Sequence, residues 1–320
     1  MTSDPGWELP TPDDGPPPPE TMAWVTEQLG ASVLSVEPLY GGLSSAIHRL
    51  TLEPVGDEPG RRVVLRRHTN TPWMEREPYI PHHEARTLSL LRELDVGVAA
   101  PTLIAADPDG DRCDVPTIIM TEVPGRPDLN PADPGRYAEQ LAACLADIHR
   151  VPIPANLEEY RRWDNPAAPV PVWVTDQDQW AAARRRVGHN LPVGTPTFLH
   201  RDFHPNNIHW ADGEICAVVD WLSACIGPAE ADLAHCRWNL AMLFDIEIAE
   251  HFTDHYHDLV GRDRDPAMLV AYDLSVVLSA PIDRFPTHPW NALGRPELTS
   301  DAVPPRIETW LAHVLGRDAA

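Results

Sequence analysis

Leu199-His-Arg-Asp-Phe-His-Pro-Asn-Asn-Ile-His-Trp-Ala-Asp-Gly-Glu-Ile-Cys-Ala-Val-Val-Asp-Trp221 is the stretch around which the rest of the chain is arranged. A short apolar lead, Thr197 to Leu199, runs into His200-Arg201-Asp202, and Asn207 follows five residues after Asp202. Ile208-His209-Trp210 reads as a strand, Ala211-Asp212-Gly213 as a tight turn and Ile215 to Val219 as the returning strand. Asp-Gly between two apolar runs is a strong hairpin signal. Such a hairpin puts Asn207 and Asp220 at its open end, on opposite strands about 5 Å apart. An amide oxygen and a carboxylate at that separation suit Mg²⁺, which takes hard oxygen ligands together with the phosphates of its nucleotide. Asp202, on the loop just before, faces the same space and offers a carboxylate to an acceptor hydroxyl. Each of the three could instead be a solvated turn residue, but the spacing, the hairpin and the downstream Asp232-Leu233-Ala234 together weigh against that.

The string His200-Arg-Asp202-Phe-His-Pro-Asn-Asn207, then Val219-Asp220-Trp221, then Gly227 to Asp232-Leu233-Ala234, resembles the catalytic and metal loops of the aminoglycoside phosphotransferase and choline-kinase-like family, relatives of the protein kinases. The resemblance extends over nearly the whole chain except the first twenty residues and 151–173. It implies an α+β, protein-kinase-like two-lobe fold, with an antiparallel sheet and one key helix in the N-lobe and a mainly helical C-lobe. By the same resemblance Asp202 is the catalytic carboxylate and Asn207 and Asp220 hold magnesium. His200 and Asp232 would support the loop, Asp232 by accepting backbone hydrogen bonds. The family often has glycine after its first histidine and before its asparagine. Arg201 and Asn206 stand there in this chain, and Arg201 recreates the kinase-like His-Arg-Asp triplet.

Composition narrows the function classes. With 320 residues the chain is long enough for two lobes. Forty-eight acids against 25 bases give a net charge of −23, which disfavours nucleic acid or an anionic membrane as a partner. An acidic face could concentrate a cationic acceptor such as an amino sugar, although acidity by itself also keeps a protein soluble. No apolar run approaches the roughly 20 residues that cross a bilayer, and the first residues show no signal-peptide pattern. Five scattered cysteines without Cys-x-x-Cys argue for reduced thiols, a cytoplasmic location and no zinc site. All 25 bases are arginine, so a nucleotide-binding lysine is impossible and an arginine has to take that place.

Residues 1–19, rich in proline and aspartate, read as a disordered lead. The N-lobe, nucleotide-binding, is expected over 20–121 and the C-lobe, catalytic and acceptor-binding, over 122–320. Strands at Val33 to Leu39 and Ala46 to Leu52 flank Tyr40-Gly41-Gly42-Leu43-Ser44-Ser45. There two glycines let backbone approach a phosphate while Ser44 and Ser45 can donate to it. In the strand Arg62 to Arg67, alternation puts Val64 and Arg66 on one face and Val63, Leu65 and Arg67 on the other. The resemblance places Arg66 where the family has its nucleotide lysine, and Glu84, opening a helix over Ala85 to Leu94, as its ion-pair partner. His82 and His83 read as exposed helix-start residues. Met120 to Gly125 resembles the hinge, with Thr121 and Val123 offering backbone groups to adenine and Met120 at the back of the pocket.

Beyond residue 125 the pattern turns helical, broken by an irregular, proline-rich insert over 151–173. Trp221, Trp238, Asp245, Glu247 and Trp290 are candidates to stack on or pair with the acceptor, against the reading that the tryptophans are core and the acids surface. The expected activity is ATP (or GTP)-dependent, Mg²⁺-assisted transfer to a hydroxyl of a small molecule such as an aminoglycoside. An amino alcohol or sugar kinase, or a nucleotide-binding module without transfer, are the alternatives.

Overall fold

The computed structural model describes residues 15–39, 45–54, 60–165, 167–261 and 265–317. Helix α1 (Pro19–Leu29) starts on a proline whose fixed φ suits the first turn and stops at Gly30, which adopts φ 61°. Strands β1 (Val33–Leu39), β2 (Ala46–Leu52) and β3 (Arg62–Arg67) follow, then helices α2 (Thr71–Arg76) and α3 (Ile80–Leu90), then β4 (Leu103–Asp107) and β5 (Thr117–Thr121). The five strands form one antiparallel sheet in the order β1-β2-β3-β5-β4. β3 is therefore the central strand, and its side chains are shielded on both faces.

The period-two pattern of β3 decides which residue meets which layer. Val63 and Leu65 join Leu50, Leu52 and Ile119 beneath Trp24 and Val25 of α1. Arg67 points the same way and is neutralised by Asp114, which also accepts from Thr21 of α1 at 2.6 Å. The opposite face is covered by α3, where Leu88 and Leu91 pack with Ile118 and Met120. Arg66 on that face is aimed at α3 and at the catalytic segment.

The helical half consists of β6 (Arg126–Pro127), α4 (Pro134–Arg150), α5 (Gln177–Val187), β7 (Thr197–Leu199), β8 (Ile208–Ala211), β9 (Glu214–Val218), β10 (Cys225–Gly227), α6 (Glu230–Leu243), α7 (Ile246–Val260), α8 (Pro266–Leu278), α9 (His288–Ala292) and α10 (Val303–Arg317). α6 is buried nearly all round, its charged Asp232 and Arg237 included, and is the central helix, packed by α7, α8 and α10. Asp133, Asp176, Asp245 and Asp265 cap α4, α5, α7 and α8 by accepting a backbone N–H three residues on.

The structure shifts several expected boundaries. α3 spans Ile80–Leu90 rather than 85–94, because Pro81 sits inside the first turn and so marks the start itself. α2 was not anticipated, although Asn70 caps it by accepting from the Trp73 N–H at 3.1 Å and Pro72 lies in its first turn. Residues 1–14 of the expected lead, with Gly41, Gly42 and Ser44 of the glycine loop, lie outside the described residues. No helix among the described residues is long and apolar enough to cross a membrane.

Candidate active site

The hairpin expected at 208–219 forms, with Asp212 and Gly213 at φ 53° and 80°. Positive φ at both central residues gives the turn whose twist matches its strands. Its open end differs from expectation. His209 pairs with Ala217 and Trp210 with Ile215, leaving Cys216 as an extra residue. That bulge carries the ladder one step on, so Val219 donates to the Asn207 carbonyl at 2.9 Å and Asp220 lies beyond the pairing. Asp220 itself adopts φ 68° and ψ 52°, which turns its carboxylate back toward the loop. Asn207 and Asp220 are thus neighbours without being cross-strand partners.

Asp202 reaches the same space from the preceding loop. The Asn207 side-chain amide donates to the Asp202 carbonyl at 2.9 Å and to its Oδ2 at 3.2 Å. Those bonds fix the Asn207 flip so that its oxygen is free to ligate. Asp202 Oδ1 lies 3.0 Å from His235 Nε2 and 3.7 Å from His204 Nε2. Burial raises the Asp202 carboxyl, but His204, His235 and His200 more than reverse this and hold it well below the usual range. Burial in turn pushes His204 down to about 4.

The loop is locked from behind by Asp232, near the N-terminus of the buried α6. Its carboxylate accepts from the His200 N–H at 2.9 Å, the Arg201 N–H at 2.7 Å and His149 Nε2 at 3.1 Å. Burial works against its charge and His149 with these amides favours it, leaving Asp232 below the usual range. His200 is fully buried, contacts the Val219 carbonyl through Nε2 at 2.9 Å and accepts from the Asp202 N–H at 3.3 Å. Both residues therefore bear on where Asp202 sits.

From the sheet, Arg66 extends between the two halves. Its Nη1 is 2.8 Å from Asp220 Oδ1 and its Nε 3.3 Å from Glu84 Oε1. His68 Nε2 lies 3.2 Å from the other Glu84 oxygen. Burial disfavours the Arg66 charge, yet Glu84 and Asp220 outweigh it and its pKa is raised. Glu84 is lowered, Arg66 and His68 overcoming burial. Asp220 is raised, because burial with Asp202 and Glu84 nearby outweighs Arg66.

Asp202, Asn207 and Asp220 line one cavity of about 540 Å³. Its other walls are α2 and the start of α3 (Trp73, Arg76, Tyr79), residues 158, 159 and 161–163, Arg201 and His204. The insert at 151–173 thus forms part of the cavity wall rather than surface packing alone. The donor set of an amide oxygen and a carboxylate, both opening on the cavity, matches what Mg²⁺ prefers. Asn207 and Asp220 fit the ion.

Other sequence candidates fall elsewhere. Trp221 is a core residue that donates to the Val218 carbonyl at 2.9 Å and stacks on Phe198. Trp238 and Trp290 are buried with Phe285 in a separate aromatic cluster. Asp245 caps α7, and it and Glu247 border a different cavity with Arg306 and Thr309. None of these five lines the Asp202 cavity. Met120, Thr121 and Val123 do not line it either, and the Thr121 N–H is engaged by the Thr102 carbonyl at 3.0 Å. Ser45 is buried, with Oγ 3.4 Å from His68 Nδ1. His83 is buried too, not exposed, with Nε2 2.6 Å from the Ala224 carbonyl. Sequence reading missed His204 and His235. The one available signal for His235 was its position three residues after Asp232, on the same face of α6.

A five-stranded antiparallel sheet with its covering helix, joined to a helical half that carries an Asp-Asn-Asp constellation, defines a kinase-like phosphotransferase fold. The model of the phosphotransferase enzyme family matches residues 37–270, and the chain belongs to that family. Solved structures agree in fold. A thermostable mutant of aminoglycoside phosphotransferase APH(4)-Ia, in a ternary complex with AMP-PNP and hygromycin B, superposes with TM-score 0.59 at 18% identity, covering 92% of this chain and 98% of that one. The streptomycin-ATP-APH(2")-IIa complex gives 0.56 at 14% identity over 82% and 88%. Macrolide 2'-phosphotransferase type I gives 0.52 at 17% identity over 89% and 94%. No curated protein matches the sequence.

Proposed function

We propose that this protein transfers the γ-phosphoryl group of ATP or GTP to a hydroxyl of a small molecule, and that it works in the cytoplasm. The observation that carries this reading is the convergence of Asp202, Asn207 and Asp220 on one cavity, with Arg66 bonded to Asp220 from the central strand. Arg66 would contact nucleotide phosphate as a planar fork, and Glu84 would hold it in place. The adenine ring would lie by the hinge, at Val123 and the Thr121 carbonyl. Asn207 and Asp220 would hold Mg²⁺, which when bound neutralises charge on the phosphates.

Asp202 would accept a hydrogen bond from the acceptor hydroxyl. Its two oxygens are already engaged, Oδ1 by His235 and Oδ2 by the Asn207 amide. Its contribution is therefore orientation of the hydroxyl, which suits a loose transition state in which positioning outweighs basicity. His235 and Asn207, bonded to its two oxygens, leave it little freedom to turn.

ADP release that depends on an added acceptor, measured over a panel of aminoglycosides, macrolides, amino alcohols and sugars, tests the reading. Asp202→Asn should abolish turnover while Mg-ATP still raises the melting temperature. Asp220→Ala should reduce that stabilisation, because a ligand of the native state stabilises by mass action. Mg-ATP binding with no turnover on any acceptor would instead indicate a nucleotide-binding module.

A further inference from the structure

The acceptor side of the cavity carries an unusual cation. Arg201 is 4% exposed and lines the cavity immediately before Asp202. Its guanidinium is clamped between two rings, 3.5 Å from the Trp163 centroid and 4.5 Å from that of Tyr160. Among the described residues its side chain makes one hydrogen bond, Nη2 to the Arg161 carbonyl at 3.2 Å. Among the described residues no carboxylate pairs with it. Asp232 is engaged by the Arg201 backbone N–H, not by the guanidinium. Every other strongly buried arginine among the described residues has an acid: Arg66 has Glu84 and Asp220, Arg67 has Asp114, and Arg237 has Asp273 and Glu250.

A guanidinium has five N–H donors in a fixed fork, and leaving a buried charge unpaired is costly. The stacking rings orient the plane but accept none of those hydrogen bonds. The backbone adds a second cost, since Arg201 holds φ 73°, a conformation that side chains other than glycine's rarely adopt. A glycine would meet the backbone requirement more easily. A costly, charged side chain at that position, opening on the cavity beside Asp202, is accounted for by a ligand that completes its hydrogen bonds.

Two acids on the same wall have partners. Glu158 lies 3.5 Å from Arg161, and Glu77 hydrogen-bonds Tyr79. Arg162 is paired with Asp164, with 2.9 Å from Nε to Oδ1. Four arginines, Arg76, Arg161, Arg162 and Arg201, stand against the five acids that line the cavity, and a polycationic acceptor would find a stacked arginine next to the reacting carboxylate.

We propose that Arg201 is the anion-binding group of the acceptor site, so that the acceptor is a hydroxylated small molecule carrying a carboxylate or phosphate rather than a polycationic amino sugar. This rests on the phosphotransferase reading for the role of Asp202. Trp163 and Tyr160 hold the fork in plane, Arg201 takes the anionic group, and the hydroxyl to be phosphorylated reaches Asp202.

The test is calorimetric titration of the full-length protein, saturated with Mg-ADP, at ionic strength matched with chloride. The probes are gluconate for a carboxylate, glycerol 3-phosphate for a phosphate, sorbitol and glycerol as neutral counterparts, and hygromycin B as the cation. Wild type should bind at least one anion more tightly than its neutral counterpart. Arg201→Gln should weaken that anion by about tenfold or more, the loss of a charge-assisted pair, with little change for the neutral probe. Arg201→Gly, which relieves the backbone, controls for folding and should show the same loss. The carboxylate and phosphate arms tell the two sources apart. Equal affinity for anion and neutral probe, no anion binding by wild type, tighter hygromycin B binding, or equal anion affinity in both variants would each overturn the proposal. Failure of the phosphotransferase reading shows separately, as absence of Mg-ADP binding or of acceptor-dependent ADP release.

Discussion

Arg66→Met removes a cation that touches both Glu84 and Asp220. Glu84 is 1% exposed and cannot recover hydration, so removing its partner leaves an uncompensated buried charge. Breaking such a pair costs about 3–5 kcal/mol. Two features of the site reduce that. The Asp220 side chain is 28% exposed and faces the cavity, where water can replace the guanidinium, and Glu84 keeps His68 at 3.2 Å. The lower end, about 3 kcal/mol, is therefore expected, equivalent to a melting temperature lower by about 5 °C for a chain of this length. Urea unfolding at pH 7, followed by tryptophan fluorescence, measures it. Arg66→Lys should recover part of the loss, since an ammonium keeps the charge but cannot fork to both acids. The pH dependence has a definite sign. Glu84 is held below its usual value, so the stabilisation it draws from Arg66 is complete above that value and fades as pH falls below it. The gap between wild type and Arg66→Met should narrow in acid. A loss below about 1 kcal/mol against the 3–5 typical of buried pairs, or Lys no better than Met, would refute the ion-pair account.

Two further expectations concern stability away from the reacting groups. Glu250 receives Arg237 at 2.9 Å, His313 at 2.8 Å and Arg317 at 2.6 Å, tying α7 to α6 and α10. Against the opposing effect of burial, the hydrogen bond and charge of Arg237, with the His313 hydrogen bond and the Arg317 charge, pull it from the usual 4.5 to about 2, which at about 1.4 kcal/mol per pH unit corresponds to about 3 kcal/mol. Glu250→Gln should cost somewhat less, about 2 kcal/mol, because the side chain is partly hydrated. The deficit should be full above pH 4.5 and vanish as pH falls toward 2; a deficit independent of pH would contradict the assignment. Gly125 adopts φ 77°, and a Cβ there would meet the Trp210 carbonyl at 2.8 Å and Cys216 Sγ. Gly125→Ala should lower stability by about 1–3 kcal/mol in urea unfolding, and an unchanged midpoint would show that the hinge relaxes freely.

The local grammar of this chain was legible from its residues. Asp212-Gly213 between apolar runs specified a hairpin, Gly30 a helix stop, and the alternation in 62–67 the opposite faces of Arg66 and Arg67, because turn chemistry and side-chain period act over a few residues. The motif spacing likewise singled out Asp202, Asn207 and Asp220, which the fold brings to one cavity. What lay beyond it depends on packing between distant segments. A tryptophan suits a core and a ligand wall equally well, so sequence could not tell Trp221, which is buried against Phe198, from Trp163, which lines the cavity. Asp245 is an acid of no special pattern until α7 begins beside it and makes it a cap. The placement of His235 against Asp202, of the 158–163 segment as a cavity wall, and of Arg201 between two rings came from the tertiary structure alone, since each contact joins elements tens of residues apart that only the packed core holds in register.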